Sequence, residues 1–210
     1  MRPDLAERLR LTLVVSRDEA APRAVTELAE AAFAGGVTAL QLREKGALSD
    51  REIYEEALEL REFCRARNRL FLLDDRLDLA LAADADGVHL GQKDLPAAVA
   101  ARLLPPGRIL GVSVRTVAEA RAALADGAAY LGVGAVFPTG SKDDAVLVKP
   151  ETVREISALG APTVAIGGLT LANVKAAWAL GVTGLAVISA LTRAADPRAA
   201  AAGLLEGAGI

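Results

Sequence analysis

Aromatic residues are scarce in this chain: Phe, Trp and Tyr together make up 3% of its 210 residues. With apolar residues at 52%, the core must be built from Ala, Val, Leu and Ile. There is one cysteine, Cys64, which excludes an internal disulfide and fits a reducing cytoplasm. It falls in a helical pattern, so a buried, inert thiol is expected. The one histidine, His89, sits inside an apolar strand pattern. That argues against a zinc site or a Ser-His-Asp triad and for a histidine in the core or in a barrel interior. Trp178 lies in a helical pattern and is expected to serve packing. Positive charge is not in excess: 24 Lys and Arg stand against 27 Asp and Glu, for a net charge of −3. Nothing in that balance suggests a nucleic-acid footprint or an anionic-membrane surface. No apolar run reaches transmembrane length, and the opening "MRPDLAERLRLTLVV" has no signal-peptide apolar region. A soluble, cytoplasmic protein is the expectation.

What the chain does have is a rhythm. Short apolar runs predict strands at Leu11–Val15, Thr38–Leu42, Arg69–Leu73, Gly87–Leu90, Ile109–Val112, Tyr130–Val133, Thr163–Ile166 and Leu185–Ile188. Between them lie amphipathic stretches such as "PRAVTELAEAAFAGG" and "SDREIYEEALELREFCRARN". The second opens with Ser49 and, three residues on, Glu52, the pattern of a capping box. Pro22, Pro96 and Pro150 fit helix starts, and Gly35, Gly127 and Gly181 fit helix ends. A weak repeat runs through "FAGGVTALQL", "ADADGVHL", "LADGAAYLGV" and "ALGVTGLAV", each a helix end feeding a buried strand. Eight such units without a linker favour one (β/α)8 TIM barrel spanning 1–210 as a single catalytic domain. An open doubly wound sheet is the alternative, because strand count alone does not prove closure.

A parallel barrel gathers its chemistry where strands end and the following loops begin. The second junction, "QLREKG", sets Gln41, Arg43 and Lys45 on alternate positions, hence on one side of an extended segment. Two cations and an amide suit a polyanionic substrate with a polar ring; a solvated charged loop is the plainer reading. The third junction ends in Asp74 and Asp75, and the fourth, "GVHLGQKDL", carries Asp94. Asp75 and Asp94 could share a hard cation such as Mg²⁺, which takes one or two carboxylates, water and substrate phosphates. Surface pairing with Arg76 or Lys93 weighs about equally. Ser113 ends the fifth junction, and Lys142 lies in the polar loop of the sixth, "GAVFPTGSKDD". The seventh ends in Gly167-Gly168 and the eighth in Ile188-Ser189. A glycine pair alone usually serves a turn. After strand seven, with Ser189 after strand eight, phosphate binding is the better reading.

Taken together, "QLREKG", "DDRLDLALAADADGVHLGQKDL", "GVSVRT", "YLGVGAVFPTGSKDD" and "VAIGGLTLANV…GVTGLAVISAL" resemble the thiamine phosphate synthase family from about Leu11 to Pro197. The pairing of "HLGQ-x-D" with "FPTGSK" is highly specific, whereas IGG occurs in many phosphate-binding barrels. The resemblance implies a (β/α)8 transferase that joins hydroxymethylpyrimidine diphosphate to thiazole phosphate, giving thiamine phosphate and pyrophosphate by Mg²⁺-assisted dissociative substitution. It places the pyrimidine diphosphate on Gln41, Arg43, Lys45, Asp74, Ser113 and Lys142, and counts Leu42 and Glu44 among the substrate-binding residues. Thiazole phosphate falls to Thr139, Gly140 and Ser141, with its phosphate on Gly167, Gly168, Ile188 and Ser189. Asp75 and Asp94 would hold Mg²⁺, and Arg43, Lys45, Ser113 and Lys142 would carry catalysis. The implied partners are these small molecules, with no nucleic acid and no membrane; a homo-oligomer is left open.

The chain departs from that family at Asp74, where Asn is usual, at Arg115, where "GVS-x-H" is common, and at Ser141, where Thr is frequent. One rival is the related thiazole tautomerase, which relies on a histidine near Arg115 and tends to lose the metal carboxylates. The other is a degenerate barrel that only binds a phosphorylated metabolite. Retention of Asp75, Asp94 and Lys142 favours the synthase.

Overall fold

The computed structural model describes residues 4–140 and 146–210. Eight strands form a closed barrel in sequence order: β1 (Leu11–Val15), β2 (Ala39–Leu42), β3 (Leu70–Asp74), β4 (Gly87–Leu90), β5 (Ile109–Val114), β6 (Tyr130–Val133), β7 (Thr163–Ile166) and β8 (Gly184–Val187). Every neighbouring pair is parallel, and β1 closes the ring against β8 through Leu11–Leu185, Thr12–Ala186 and Leu13–Val187. Closure removes the open-sheet alternative. Burial on both faces explains why the strands read as continuous apolar runs rather than as alternating ones.

Alternation still decides which side chain goes where. Leu13, Val15, Leu40, Leu42, Phe71 and Leu73 pack outward under the helices. Val14, Ala39, Leu70, Leu72, Ile109, Tyr130, Val164 and Ala186 fill the interior. The first turn of helix, Leu5–Arg8, adds Leu5 and Leu9 to that inner cluster. Each is almost fully buried, which contributes about 2 kcal/mol apiece by the usual scale for a buried leucine.

Capping boxes start the helices Arg17–Ala20, Asp50–Ala66 and Val117–Ala125, through Ser16 with Glu19, Ser49 with Glu52, and Thr116 with Glu119. The Ser49 box is the one expected from sequence. Pro96 caps the helix Ala97–Leu103 and Pro150 is the first residue of Pro150–Ser157. Pro22 is the exception: it lies between Arg17–Ala20 and Val25–Ala34, and Ala24 caps the latter. Strand ends differ by one or two residues. β3 takes in Asp74, β5 continues to Val114, and β8 stops at Val187 rather than Ile188. Ser113 is thus a strand residue, not a loop residue. Trp178 ends the helix Val174–Trp178, packed against the outer core. Cys64 is fully buried in Asp50–Ala66, and desolvation pushes its thiol up to about 12. Among the described residues no helix is long and apolar enough to cross a membrane.

Candidate active site

The interior row that runs up each strand turns polar at the top. A pocket of about 250 Å³ opens there, at the C-terminal ends of the strands. Arg43, Lys45, Asp74 and Asp75 form one wall, and Gly91 to Asp94 continue it. Gly167, Gly168, Ile188 and Ser189 form another, with His89, Ser113 and Gly132 also lining the space.

The adjacent carboxylates that end β3 do not face each other. Asp74 continues the strand alternation inward, where Oδ1 accepts a hydrogen bond from Gln41 Nε2 at 2.6 Å. Arg43 Nε lies 3.2 Å from its Oδ2, an ion-pair contact off the line of a good hydrogen bond. Asp75 then turns the chain. Its φ of 62° is in the left-handed region, and the turn is closed by Arg76 N–H donating to the Asp74 carbonyl at 2.7 Å. Its own N–H donates to the His89 carbonyl at 2.8 Å, pinning the β3 and β4 junctions together. The Asp75 carboxylate pairs with Lys45 Nζ. Each carboxylate therefore has its own cation, which offsets a repulsion and desolvation that neither could bear alone. Arg76 is not Asp75's partner: it holds Asp78 and Asp50, with contacts of 2.7 Å to each.

Asp94 folds back over its own loop, with Oδ2 accepting from Gly91 N–H at 2.7 Å. Asp75 and Asp94 thus reach one pocket from adjacent junctions. Among the described residues, no three His, Cys, Asp or Glu side chains gather into a cage.

The glycine pair is a structural necessity as well as a pocket wall. Gly167 and Gly168 have φ of 99° and 66°. A Cβ on Gly167 would sit 2.6 Å from Ala135 Cβ, and one on Gly168 would sit 2.4 Å from the Pro138 carbonyl oxygen. The β6 loop is stitched to them through Phe137 N–H, which donates to the Gly167 carbonyl at 3.1 Å.

Not every expected residue arrives. Leu42 packs outward beneath the helices, and Glu44 turns away to accept the Arg17 N–H at 2.6 Å. Gln41 reaches a small cavity beneath the pocket rather than the pocket itself. Thr139 lines the pocket, while Gly140 lines a neighbouring opening beside Ser189. Ser141 and Lys142 lie outside the described residues. Other residues were not foreseen. His89, expected in the core or the barrel interior, lies 2.8 Å through Nε2 from Ser113 Oγ. Gln92 Nε2 donates to the Ser113 carbonyl at 2.7 Å. Alternation along β4 marks His89 as inward-facing, but its contact with Ser113 follows only from the pairing of β4 with β5.

A closed barrel with a charged pocket in its C-terminal mouth defines the class, a (β/α)8-barrel enzyme. The family pattern described as TMP-TENI, thiamine monophosphate synthase, matches residues 11–191. A thiamine-phosphate synthase of Coprothermobacter proteolyticus is 44% identical over 206 residues, covering 98% of this chain and 97% of that protein. One from Moorella thermoacetica is 48% identical over 198 residues, covering 93% and 94%. The solved thiamine phosphate pyrophosphorylase from Pyrococcus furiosus superposes with a TM-score of 0.88 at 41% identity, with 98% of each chain covered. The chain belongs to the thiamine monophosphate synthase family and is a transferase of thiamine biosynthesis.

Proposed function

We propose that residues 1–210 act as one catalytic domain. It joins hydroxymethylpyrimidine diphosphate to thiazole phosphate, releasing pyrophosphate and forming thiamine phosphate. The observation that carries the detail is the placement of two chemically different walls in one pocket. Arg43 and Lys45 stand with Asp74 and Asp75 on one side, and Gly167, Gly168, Ile188 and Ser189 stand on the other. The wall of paired charges offers the diphosphate Arg43 and Lys45, and the glycine wall lets backbone approach the single phosphate.

Asp75 and Asp94 fit a hard cation. Both offer carboxylate oxygens to the pocket, and with only two protein ligands the shell would be completed by water and diphosphate oxygens, the usual mode for Mg²⁺. When bound there, Mg²⁺ would neutralise charge on the diphosphate and stabilise it as a leaving group. Arg43 and Lys45 add fixed positive charge where negative charge grows as the C–O bond breaks. Lys142 is assigned the same task. Ser113 donates a hydrogen bond to the diphosphate, and Thr139 orients the thiazole, a task also assigned to Gly140 and Ser141. The thiazole nitrogen already has a lone pair, so the chain need supply no general base. Ile166, Leu169, Ala186 and Val187 give the pocket an apolar lining that keeps water from the pyrimidinylmethyl cation.

The test is turnover with both substrates, following thiamine phosphate and pyrophosphate together across a Mg²⁺ titration. Wild type should form both in equal amounts. Asp75→Ala and Asp94→Ala should each lose most activity and, separately, bind Mn²⁺ more weakly by electron paramagnetic resonance. Near-normal Mn²⁺ binding in either variant would remove that carboxylate from the metal site.

A further inference from the structure

Three neighbouring strands build a buried hydrogen-bond chain beneath the pocket. The register sets His89 of β4 beside Gly111 of β5, and Gly111 beside Tyr130 of β6. All three face the barrel interior at one level. Because Gly111 has no side chain, the Tyr130 phenol reaches across β5 to His89. A Cβ on Gly111 would lie 2.2 Å from Tyr130 Cζ and 2.5 Å from its hydroxyl oxygen. One step up β5 is Ser113, whose neighbour on β6 is Gly132. A Cβ on Gly132 would lie 2.8 Å from His89 Cε1, so this second glycine makes room for the ring. Two missing side chains thus create the space that one tyrosine and one histidine fill.

The contacts run in a line. Tyr130 Oη is 2.8 Å from His89 Nδ1, and His89 Nε2 is 2.8 Å from Ser113 Oγ. Ser113 Oγ borders the pocket, while Tyr130 is buried. Burial pushes the phenol's pKa up, so it keeps its proton, and a buried donor must find an acceptor. Among the described residues its hydrogen-bond partner is His89 Nδ1. The phenol therefore donates to Nδ1. A neutral imidazole whose Nδ1 accepts carries its proton on Nε2, and Nε2 then donates to Ser113 Oγ. The serine oxygen is occupied as an acceptor, so its own proton is left to point into the pocket.

We infer that Tyr130 and His89 are positioning residues that fix Ser113 as a hydrogen-bond donor toward an anionic substrate oxygen. Neither touches the reacting atoms in this role; they act by holding one tautomer. The opposite tautomer would make Ser113 donate inward and present a lone pair to the diphosphate, which repels it. The chain therefore works as a sign-setting device for one contact. It rests on the reading of this pocket as the diphosphate site, but its first test needs no substrate.

Because the chain has a single histidine, long-range ¹⁵N–¹H NMR of the untagged, ligand-free protein reports this ring alone. The expected spectrum has the proton on Nε2 and none on Nδ1. A water in the small cavity beside Thr12 and Gln41 that took the phenol proton would reverse the chain. A proton on Nδ1 would overturn the inference. The second arm is Tyr130→Phe, which keeps the ring packing and removes the hydroxyl. Its histidine should become a tautomer mixture, and its affinity for inorganic pyrophosphate with Mg²⁺ should fall about 3- to 10-fold, the scale of one hydrogen bond. In a Ser113→Ala background the same change should cost no further affinity, because the coupling ends at the serine. An equal, additive loss would show a merely structural tyrosine. If wild type fails to bind pyrophosphate at all, the site reading fails while the tautomer result still decides the chain.

Discussion

Asp74 and Asp75 are one peptide bond apart and do different work. Asp74 neutralises Arg43 and holds Gln41 inside the barrel; Asp75, turned by its left-handed backbone, offers its carboxylate to the pocket beside Lys45. A diphosphate that uses Arg43 must compete with Asp74. Asp74→Asn removes that competition, because an amide can still accept from Gln41 while leaving the guanidinium uncompensated. The KM for pyrimidine diphosphate should fall several-fold, and stability should drop by about 1–3 kcal/mol, the range for a buried polar group left without its partner. Steady-state kinetics with a urea melt reads both. A rise in KM at every Mg²⁺ concentration would mean that the carboxylate itself serves the substrate or the metal.

Legibility at this scale followed the two-residue period. Gln41 and Arg43 could be set on one side of β2 because alternation along one strand is local. Leu42 and Glu44 came only with the family resemblance, and their side chains lie on the other side of the same segment. His89 was legible as an interior residue but not as Ser113's partner. That contact depends on how β4 registers against β5, which is a long-range pairing that no single strand encodes.

At the scale of elements, each βα unit carries its own start and stop signals. Ser49 and Glu52 announce a helix before any packing is considered, and that helix, Asp50–Ala66, buries Ala57, Leu60 and Cys64 against the sheet. Strand centres were clear from their apolar runs, while their ends were not. A polar residue such as Asp74 can remain in a ladder when it points into a polar barrel mouth. Pro22 was misplaced because its ring fits a turn between helices as well as a helix start. The helix makes a direct prediction. Cys64 is buried and its thiol is pushed up to about 12, so almost no thiolate forms at neutral pH. Alkylating reagents should modify Cys64 only at the rate of unfolding, whatever the reagent concentration. Fast, concentration-dependent labelling of the native protein would show that this helix opens locally.

For the whole molecule, the feature the sequence could not supply was closure. It requires β1 to pair with β8, bringing Leu11–Leu13 beside Leu185–Val187 across nearly the full chain. The closed barrel draws charged loops together, with a cost that pH exposes. Glu44 and Glu56 both have raised pKa values, chiefly from burial, with Arg17 opposing. A carboxylate whose folded pKa exceeds its unfolded value of 4.5 binds more protons when folded. Its contribution to stability therefore falls as pH rises through that window, and the full penalty is present above it. Glu56→Gln should gain on wild type, in urea midpoint, as pH goes from about 4 to about 7. A relative loss over that range would mean that the Arg17–Glu56 pair outweighs burial.

In the proposed function, two anion sites of different chemistry face each other across one barrel mouth. Lys45→Gln removes an exposed cation from one wall, and Ser189→Asp adds an exposed negative charge to the other. Separate KM values for the two substrates distinguish the two walls. Lys45→Gln should raise the KM for pyrimidine diphosphate about 10-fold or more, the scale of one charge-assisted hydrogen bond, and barely move that for thiazole phosphate. Ser189→Asp should do the reverse. If both variants weaken the same substrate, or each weakens both equally, the two-wall account is wrong.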